Sequence, residues 1–259
     1  MQVLTPGLAI DTFEARIARA RTRVLMLDYD GTLAPFHVRP ELAVPYPEAS
    51  AALRDIVRAG GTRLVVVSGR PADEVPPLLG LAPLPEIWGA HGRERLRPDG
   101  ARSVAAPADE ARVRLDEAAR AVAGLRGTRV ERKLASVALH WRGSSEALAA
   151  LARDTALERW EPLTRQAQFE MLPFEGGIEL RACGHTKANA VEAVLAETHE
   201  DCAVAYLGDD VTDEDAFRAV KPRGLAVLVR PELRKTAADL WLKPPHELAS
   251  FLQMWAVSN

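Results

Sequence analysis

The sequence predicts an α/β fold, a doubly wound parallel sheet interrupted by a smaller inserted α+β unit. Three observations carry that prediction. Short apolar runs that read as buried strands alternate with segments whose apolar residues recur at helical spacing. The strand-like runs end in polar residues, where an open parallel sheet gathers its ligands. The middle of the chain then switches to an order that a parallel sheet does not produce. At 259 residues the chain has volume for a real core and a second module.

Val24–Leu27, Leu64–Val67, Val204–Leu207 and Ala226–Val229 are the strand-like runs, each apolar throughout, as expected of strands covered on both faces. Helical spacing marks Glu48–Ala59, Lys187–Glu197 and Asp213–Val220, and Pro244–Trp255 reads as a closing helix. Between them, Ala108–Leu125 is an Ala/Arg/Glu helix pattern, followed by alternating segments at Val130–Lys133 and Val137–Trp141. Ser145–Trp160 is a second helix pattern, and strand-like pieces follow around Leu163–Leu172 and Gly177–Arg181. We therefore expect a core built from residues 1–105 and 182–259, with residues 106–181 as a separate inserted unit.

Composition excludes several classes. The 33 Lys and Arg against 36 Asp and Glu, net charge −3, give no electrostatic reason for a nucleic-acid or membrane partner. No apolar run approaches the roughly 18 residues of a membrane span, and the N-terminus lacks the apolar core of a signal peptide. Cys183 and Cys202 make no disulfide framework and suit a reducing compartment. A cytoplasmic monomer acting on a small molecule is the expectation.

The chemistry gathers at the strand ends. LMLDYDGTL closes an apolar run with Asp28 and Asp30, two carboxylates one residue apart. Held that close they repel, and burying them needs a cation or a reaction. GDDVTDEDAF supplies a second acidic cluster after another strand. Converging carboxylates make an oxygen-rich site for a hard cation, Mg²⁺ above all, with Asp209 sharing it with Asp28. Asp30 would lend its backbone carbonyl and keep its side chain free. Ser68, Gly69 and Arg70 follow Val67, where a hydroxyl and backbone N–H groups can hold phosphate oxygens. Lys187 opens a helix, a favourable place for an anion. A metal, a lysine, a serine and two aspartates can neutralise a phosphoryl group and attack it, one aspartate as nucleophile and the other as acid and base. Taken singly, each signal also fits a solvated turn, a common loop or an exposed lysine. The ordered set, with each member at a strand or helix end, is what points to phosphoryl transfer.

With those residues in place, the chain resembles the haloacid dehalogenase superfamily and, within it, the trehalose-6-phosphate phosphatases. DYDGTL, VVVSGR, Lys187 and GDDVTDEDAF match the four superfamily motifs in order, and WGAHGRE resembles a glycine-histidine segment of that branch. The resemblance implies a Rossmannoid core, a C2-type α+β cap that grips the sugar and closes over the core, and Mg²⁺ as cofactor. Asp28 would be nucleophile and metal ligand, Asp30 acid, base and metal ligand, and Asp209 a metal ligand. Lys187, Ser68, Gly69 and Arg70 would bind phosphate. Asp210 and Asp213 would orient metal-bound water or Lys187. In the cap, VERKLASVALHWR and the later ELR piece, Glu179–Arg181, give Glu131, Lys133, His140, Arg142 and Glu179 as sugar-binding residues. In strands, Glu131 and Lys133 share one face, as do His140 and Arg142, so the hairpin register decides whether they form one patch. Ala182 and Ala188 stand where the family often has proline and glycine, which bears on the sugar rather than on the reaction.

Other mechanisms find no support. A cysteine phosphatase needs an arginine a few residues beyond its nucleophile, and the matching positions hold Asn189 and Gly208. The histidines lack zinc-hydrolase spacing, and no G-x-x-x-x-G-K-[ST] loop is present. His91 either orders its loop or approaches the substrate. The remaining rivals are a related sugar phosphatase acting on sucrose 6-phosphate or glucosylglycerol phosphate, a phosphomutase, and a non-catalytic sugar-phosphate sensor. The sensor should have lost a catalytic aspartate or the lysine, and both are present.

Overall fold

The computed structural model describes residues 1–165, 168–174 and 176–258. The chain divides into two compact units, Met1–Val104 with Thr186–Asn259, and Ala105–His185. The inserted unit thus ends four residues later than expected from Arg181. Its last strand runs on to Ala182, and Cys183 N–H donates to Gln168 O at 2.8 Å, which ties the chain to that unit's sheet. No helix among the described residues is long and apolar enough to cross a membrane.

The first unit is built on a nine-stranded sheet. In chain order its strands are β1 (Gln2–Val3), β2 (Arg23–Asp28), β3 (Thr62–Val67), β4 (Glu86–Gly89), β5 (Glu94–Leu96) and β6 (Arg102–Val104), and, after the insertion, β11 (Ala203–Gly208), β12 (Leu225–Val229) and β13 (Leu240–Leu242). Their spatial order is β1-β13-β12-β11-β2-β3-β4-β5-β6. The run from β13 to β4 is parallel, with antiparallel strands only at the two edges. From β2 the chain builds outward to one side through β3 and β4, then returns to the other side with β11. The strand order therefore reverses between β2 and β11, which opens a crevice at their carboxyl ends.

Alternation along the central strands explains the two helical layers. Leu25 and Leu27 of β2 and Ala205 and Leu207 of β11 face one core, with Ile17 of α1 (Ile10–Arg19), Leu53 of α2 (Pro47–Ala59), Val75 of α3 (Val75–Leu79) and Phe251 of α8 (His246–Gln253). Val24, Met26, Val204 and Tyr206 face the other, against Val191 of α6 (Lys187–Ala196) and Phe217 of α7 (Glu214–Val220). Strands buried on both faces must be apolar throughout, which is why they are visible as runs.

The inserted unit has β7 (Arg129–Arg132), β8 (Ser136–His140), β9 (Phe169–Phe174) and β10 (Gly177–Ala182) in an antiparallel sheet of order β7-β8-β10-β9. One face is covered by α4 (Asp109–Ala121) and α5 (Glu146–Thr164), whose Leu115, Ala156 and Trp160 pack on Val137, Leu139, Ile178 and Leu180. The strand expected around Leu163–Leu172 begins only at Phe169, because Leu163 still belongs to α5 and packs on this core; Gln166 and Ala167 lie outside the described residues.

Candidate active site

Register fixes how the first cluster forms. Asp28 closes β2 directly beside Val67, so Ser68 follows one step beyond the same sheet edge. On the other side Leu27 pairs with Leu207, so Gly208 closes β11 and Asp209 follows just past its end. Lys187 is delivered from α6, whose start is fixed by a capping box: Thr186 Oγ accepts from Ala188 N–H at 3.3 Å and Asn189 Oδ1 accepts from Thr186 N–H at 2.8 Å. A buried cation at a helix N-terminus opposes the dipole, so carboxylates must outweigh it. Lys187 Nζ lies 2.7 Å from Asp28 Oδ1 and 2.8 Å from Asp213 Oδ1. Burial alone would lower the lysine's pKa, but Asp213 and Asp28 hold it well above its usual value.

Asp213 is saturated. Its Oδ1 accepts from Lys187 Nζ and, at 2.6 Å, from the Tyr206 hydroxyl, while Oδ2 accepts from the N–H groups of Asp209 and Asp210 at 3.2 and 3.0 Å. Asp209 differs: its Oδ1 is buried and has no hydrogen-bond partner among the described residues. Ligand oxygens of Asp28, Asp209 and Asp213 lie within 4.8 Å of one another. Three buried carboxylates against one lysine leave surplus negative charge. Burial, then Asp213, raises Asp28 well above the carboxylate range, and the same two causes push Asp209 up to about 7. The orphaned oxygen and the surplus charge fit a hard divalent cation held by Asp209 and Asp28. Asp213, with its oxygens already engaged, positions Lys187 and the Asp209–Asp210 backbone. Asp210 is exposed, and its side chain caps the turn Val211–Asp213.

Two glycines make this packing possible. A Cβ on Gly31, at φ +83°, would fall 2.1 Å from Asp209 Oδ2, and one on Gly208 would fall 2.3 Å from Asp213 Cγ. Both motifs therefore need glycine to let the carboxylates in.

The second aspartate is not free, contrary to the expectation from sequence. Arg70 Nε and Nη2 donate to Asp30 Oδ2 and Oδ1, both at 2.6 Å. Arg70, expected on phosphate, is committed to this bidentate ion pair, because opposite charges on neighbouring loops find each other at fork geometry. Ser68 is fully buried, its Oγ accepting from Arg70 N–H at 3.1 Å. Ala90 and His91 both have positive φ, at 49° and 56°. Their N–H groups donate to Arg70 O and Ser68 O at 2.7 and 3.0 Å, so a strained turn pins the Ser68–Arg70 loop. The His91 ring packs against Gly69, where a Cβ would lie 2.8 Å from its Cε1.

Sequence reasoning missed three residues here. Tyr206 hides as one polar atom in an apolar run. Arg230 Nη1 and Arg234 Nε each donate to Asp209 O at 3.3 Å, and Arg234 Nη2 donates to Asp210 O at 2.7 Å. Two guanidiniums thus hold the backbone of the acidic loop. The one available signal was Arg230 itself, a charge immediately after β12.

The cap residues lie in the inserted unit. Glu131 pairs with Ala138, and Ala138 with Glu179, so Glu131, His140 and Glu179 share a face, as Lys133 does by alternation. His140 Nε2 is 2.8 Å from Glu131 Oε2, and Lys133 Nζ is 3.5 Å from Glu179 Oε1. Ser136 Oγ donates to Glu179. The His140 hydrogen bond, then Lys133, holds the Glu131 carboxyl down at about 2 against the cost of burial. Arg142, exposed and just past β8, lies over Gly176.

A family model described as trehalose-phosphatase matches residues 26–243. The chain belongs to the trehalose-phosphatase family. Trehalose-phosphate phosphatase of Mycobacterium marinum is 33% identical over 244 residues, covering 88% of this chain and 60% of that protein. The bifunctional trehalose-6-phosphate synthase/phosphatase of Thermoproteus tenax is 30% identical over 229 residues, covering 86% of this chain and 31% of that protein. The chain thus spans less than two thirds of the length of either relative. The C-terminal domain of Candida albicans trehalose-6-phosphate phosphatase superposes with a TM-score of 0.79 at 19% identity, covering 99% of each chain. That likeness establishes a shared fold, the α/β core with an inserted unit expected from sequence.

Proposed function

We propose that the chain is a Mg²⁺-dependent phosphatase that hydrolyses trehalose 6-phosphate to trehalose and inorganic phosphate through an aspartyl phosphate on Asp28. The observation that carries the proposal is the arrangement at the switch point: Asp28 is buried against Lys187 and beside Asp209, whose Oδ1 is buried with no hydrogen-bond partner among the described residues. Membership of the trehalose-phosphatase family and the name of the mycobacterial relative support the substrate. The polar face carrying Glu131, Lys133, His140 and Glu179 supplies both acceptors and cations for a hydroxyl-rich sugar.

In this reading Asp28 Oδ attacks phosphorus while the bond from phosphorus to the sugar oxygen breaks. Asp30 takes up a proton from solvent once Arg70 gives up at least one of its two hydrogen bonds, and delivers that proton to the sugar oxygen. Asp30 then takes a proton from water as the water oxygen bonds to phosphorus and Asp28 is released. Lys187 keeps Asp28 oriented and offsets charge on the phosphoryl oxygens, and Ser68 with the Gly69 backbone holds them. Asp28 and Asp209, with the Asp30 carbonyl, would hold Mg²⁺, which supplies charge neutralisation of the phosphoryl group.

The test is phosphate release, with Mg²⁺ or with chelator, from trehalose 6-phosphate, sucrose 6-phosphate, glucosylglycerol phosphate and glucose 6-phosphate. Metal-dependent release with preference for trehalose 6-phosphate is expected. Preference for another sugar phosphate overturns the substrate, and no release from any of them overturns the phosphatase reading.

A further inference from the structure

The polar face of the inserted sheet carries an aromatic ring to which the mechanism assigns no role. Phe174 ends β9, pairs with Gly177, and Gly177 pairs in turn with His140. The Phe174 ring lies over Gly177, where a Cβ would fall 2.1 Å from Cζ. It stands 5.2 Å from the His140 ring with the planes at 58°, and it remains 38% exposed. The preceding Gly176 is used in the same way: a Cβ there would fall 2.9 Å from Arg142 Cβ and 3.2 Å from its Nε. Two successive glycines thus clear the backbone, Gly177 for the aromatic ring beside His140 and Gly176 for Arg142.

A phenylalanine serving this unit's core would face Leu139, Ile178 and Leu180, the apolar side of the sheet. Register instead puts Phe174 with the charged residues, where an exposed ring stays in water unless something apolar covers it. A pyranose offers the matching surfaces: flat C–H faces for a ring and an equatorial rim of hydroxyls for a carboxylate and an imidazole. Aromatic surface combined with a few placed polar groups is the usual make-up of small-molecule sites. We propose that Phe174 is a specificity-determining residue, its ring stacking on a pyranose of the bound sugar phosphate while Glu131 and His140 engage the hydroxyls. The proposal rests on the sugar-phosphatase reading above.

Its test is steady-state kinetics of Phe174→Leu and Phe174→Tyr in the full chain, on trehalose 6-phosphate and on acetyl phosphate, which has no ring. Melting curves of both variants accompany the kinetics. Leucine still covers Gly177 but removes the aromatic face. It should raise KM for trehalose 6-phosphate roughly three- to tenfold with kcat little changed. Acetyl phosphate turnover should stay at the wild-type value, and tyrosine should retain the wild-type KM. An unchanged KM in the leucine variant, or equal losses on both substrates, overturns the proposal. If the wild type prefers another sugar phosphate, the same ratio is read on that substrate, so the substrate assignment fails while the ring is still judged.

Discussion

Gly31→Ala puts one methyl group against the carboxylate that the account makes a metal ligand. The new Cβ would lie 2.1 Å from Asp209 Oδ2, whereas ordinary contact begins at 3.4 Å, so the carboxylate must retreat by about 1.3 Å, the difference of the two. The φ of +83° adds a backbone cost of roughly 1 kcal/mol, or about 2–4 °C in melting temperature. Misplacing a reacting group by about 1 Å costs on the order of a hundredfold in rate. Gly60→Ala is the control, since Gly60 has φ +72° with nothing within 4 Å of a Cβ. Both variants carry the backbone cost, and Gly31→Ala should lose more stability than Gly60→Ala because it alone adds the clash with Asp209. Only Gly31→Ala should lose roughly a hundredfold in kcat/KM for phosphate release and need about tenfold more Mg²⁺ for half-saturation. Activity of Gly31→Ala within about threefold of Gly60→Ala would refute the reasoning that ties Asp209 to the metal.

Metal-free protein should respond to pH through Asp209. With its carboxyl at about 7 against an ordinary 3.8, the folded state binds the proton more tightly than the unfolded one. That contribution is present at low pH and is lost as pH rises through about 7, so melting in chelator should drop by a few degrees between about pH 6 and about pH 8. Mg²⁺ should shrink or reverse that drop; a higher melting temperature at pH 8 in chelator would contradict it. Arg234→Met removes hydrogen bonds to Asp209 O and Asp210 O and should raise the Mg²⁺ requirement about tenfold, read as the metal dependence of melting as well as of rate. Glu131→Ala should narrow the kcat/KM ratio between trehalose 6-phosphate and glucose 6-phosphate; an unchanged ratio removes Glu131 from the sugar site.

The central strands could be read from sequence because burial on both faces leaves no polar position in Val24–Leu27 or Val204–Leu207. The edge strands could not: Gln2–Val3, Glu94–Leu96 and Arg102–Val104 are short, partly polar and defined only by their partners. Asp28, Asp209 and Lys187 were readable as strand-end or helix-start residues. The Asp30–Arg70 ion pair was not, because it joins loops forty positions apart and depends on how both turn. Asp213 looked like part of a regular helix, yet it ends a 3₁₀ turn capped by Asp210, which is what aims its carboxylate at Lys187. Glu131 and Lys133 had a common face by alternation alone, but only the β7–β8–β10 register joins them to His140 and Glu179. Phe174 carried no signal, since its exposure follows from that register and from the bare backbone of Gly177.

The most direct test of the central claim compares wild type with Asp28→Asn. Turnover of trehalose 6-phosphate and equilibrium binding of the same compound are measured in Mg²⁺. Asparagine keeps the shape and removes the nucleophilic charge, so phosphate release should fall by at least about a thousandfold while the Kd stays within about tenfold. Release by Asp28→Asn near the wild-type rate would contradict an aspartyl phosphate on Asp28 and the site built around it.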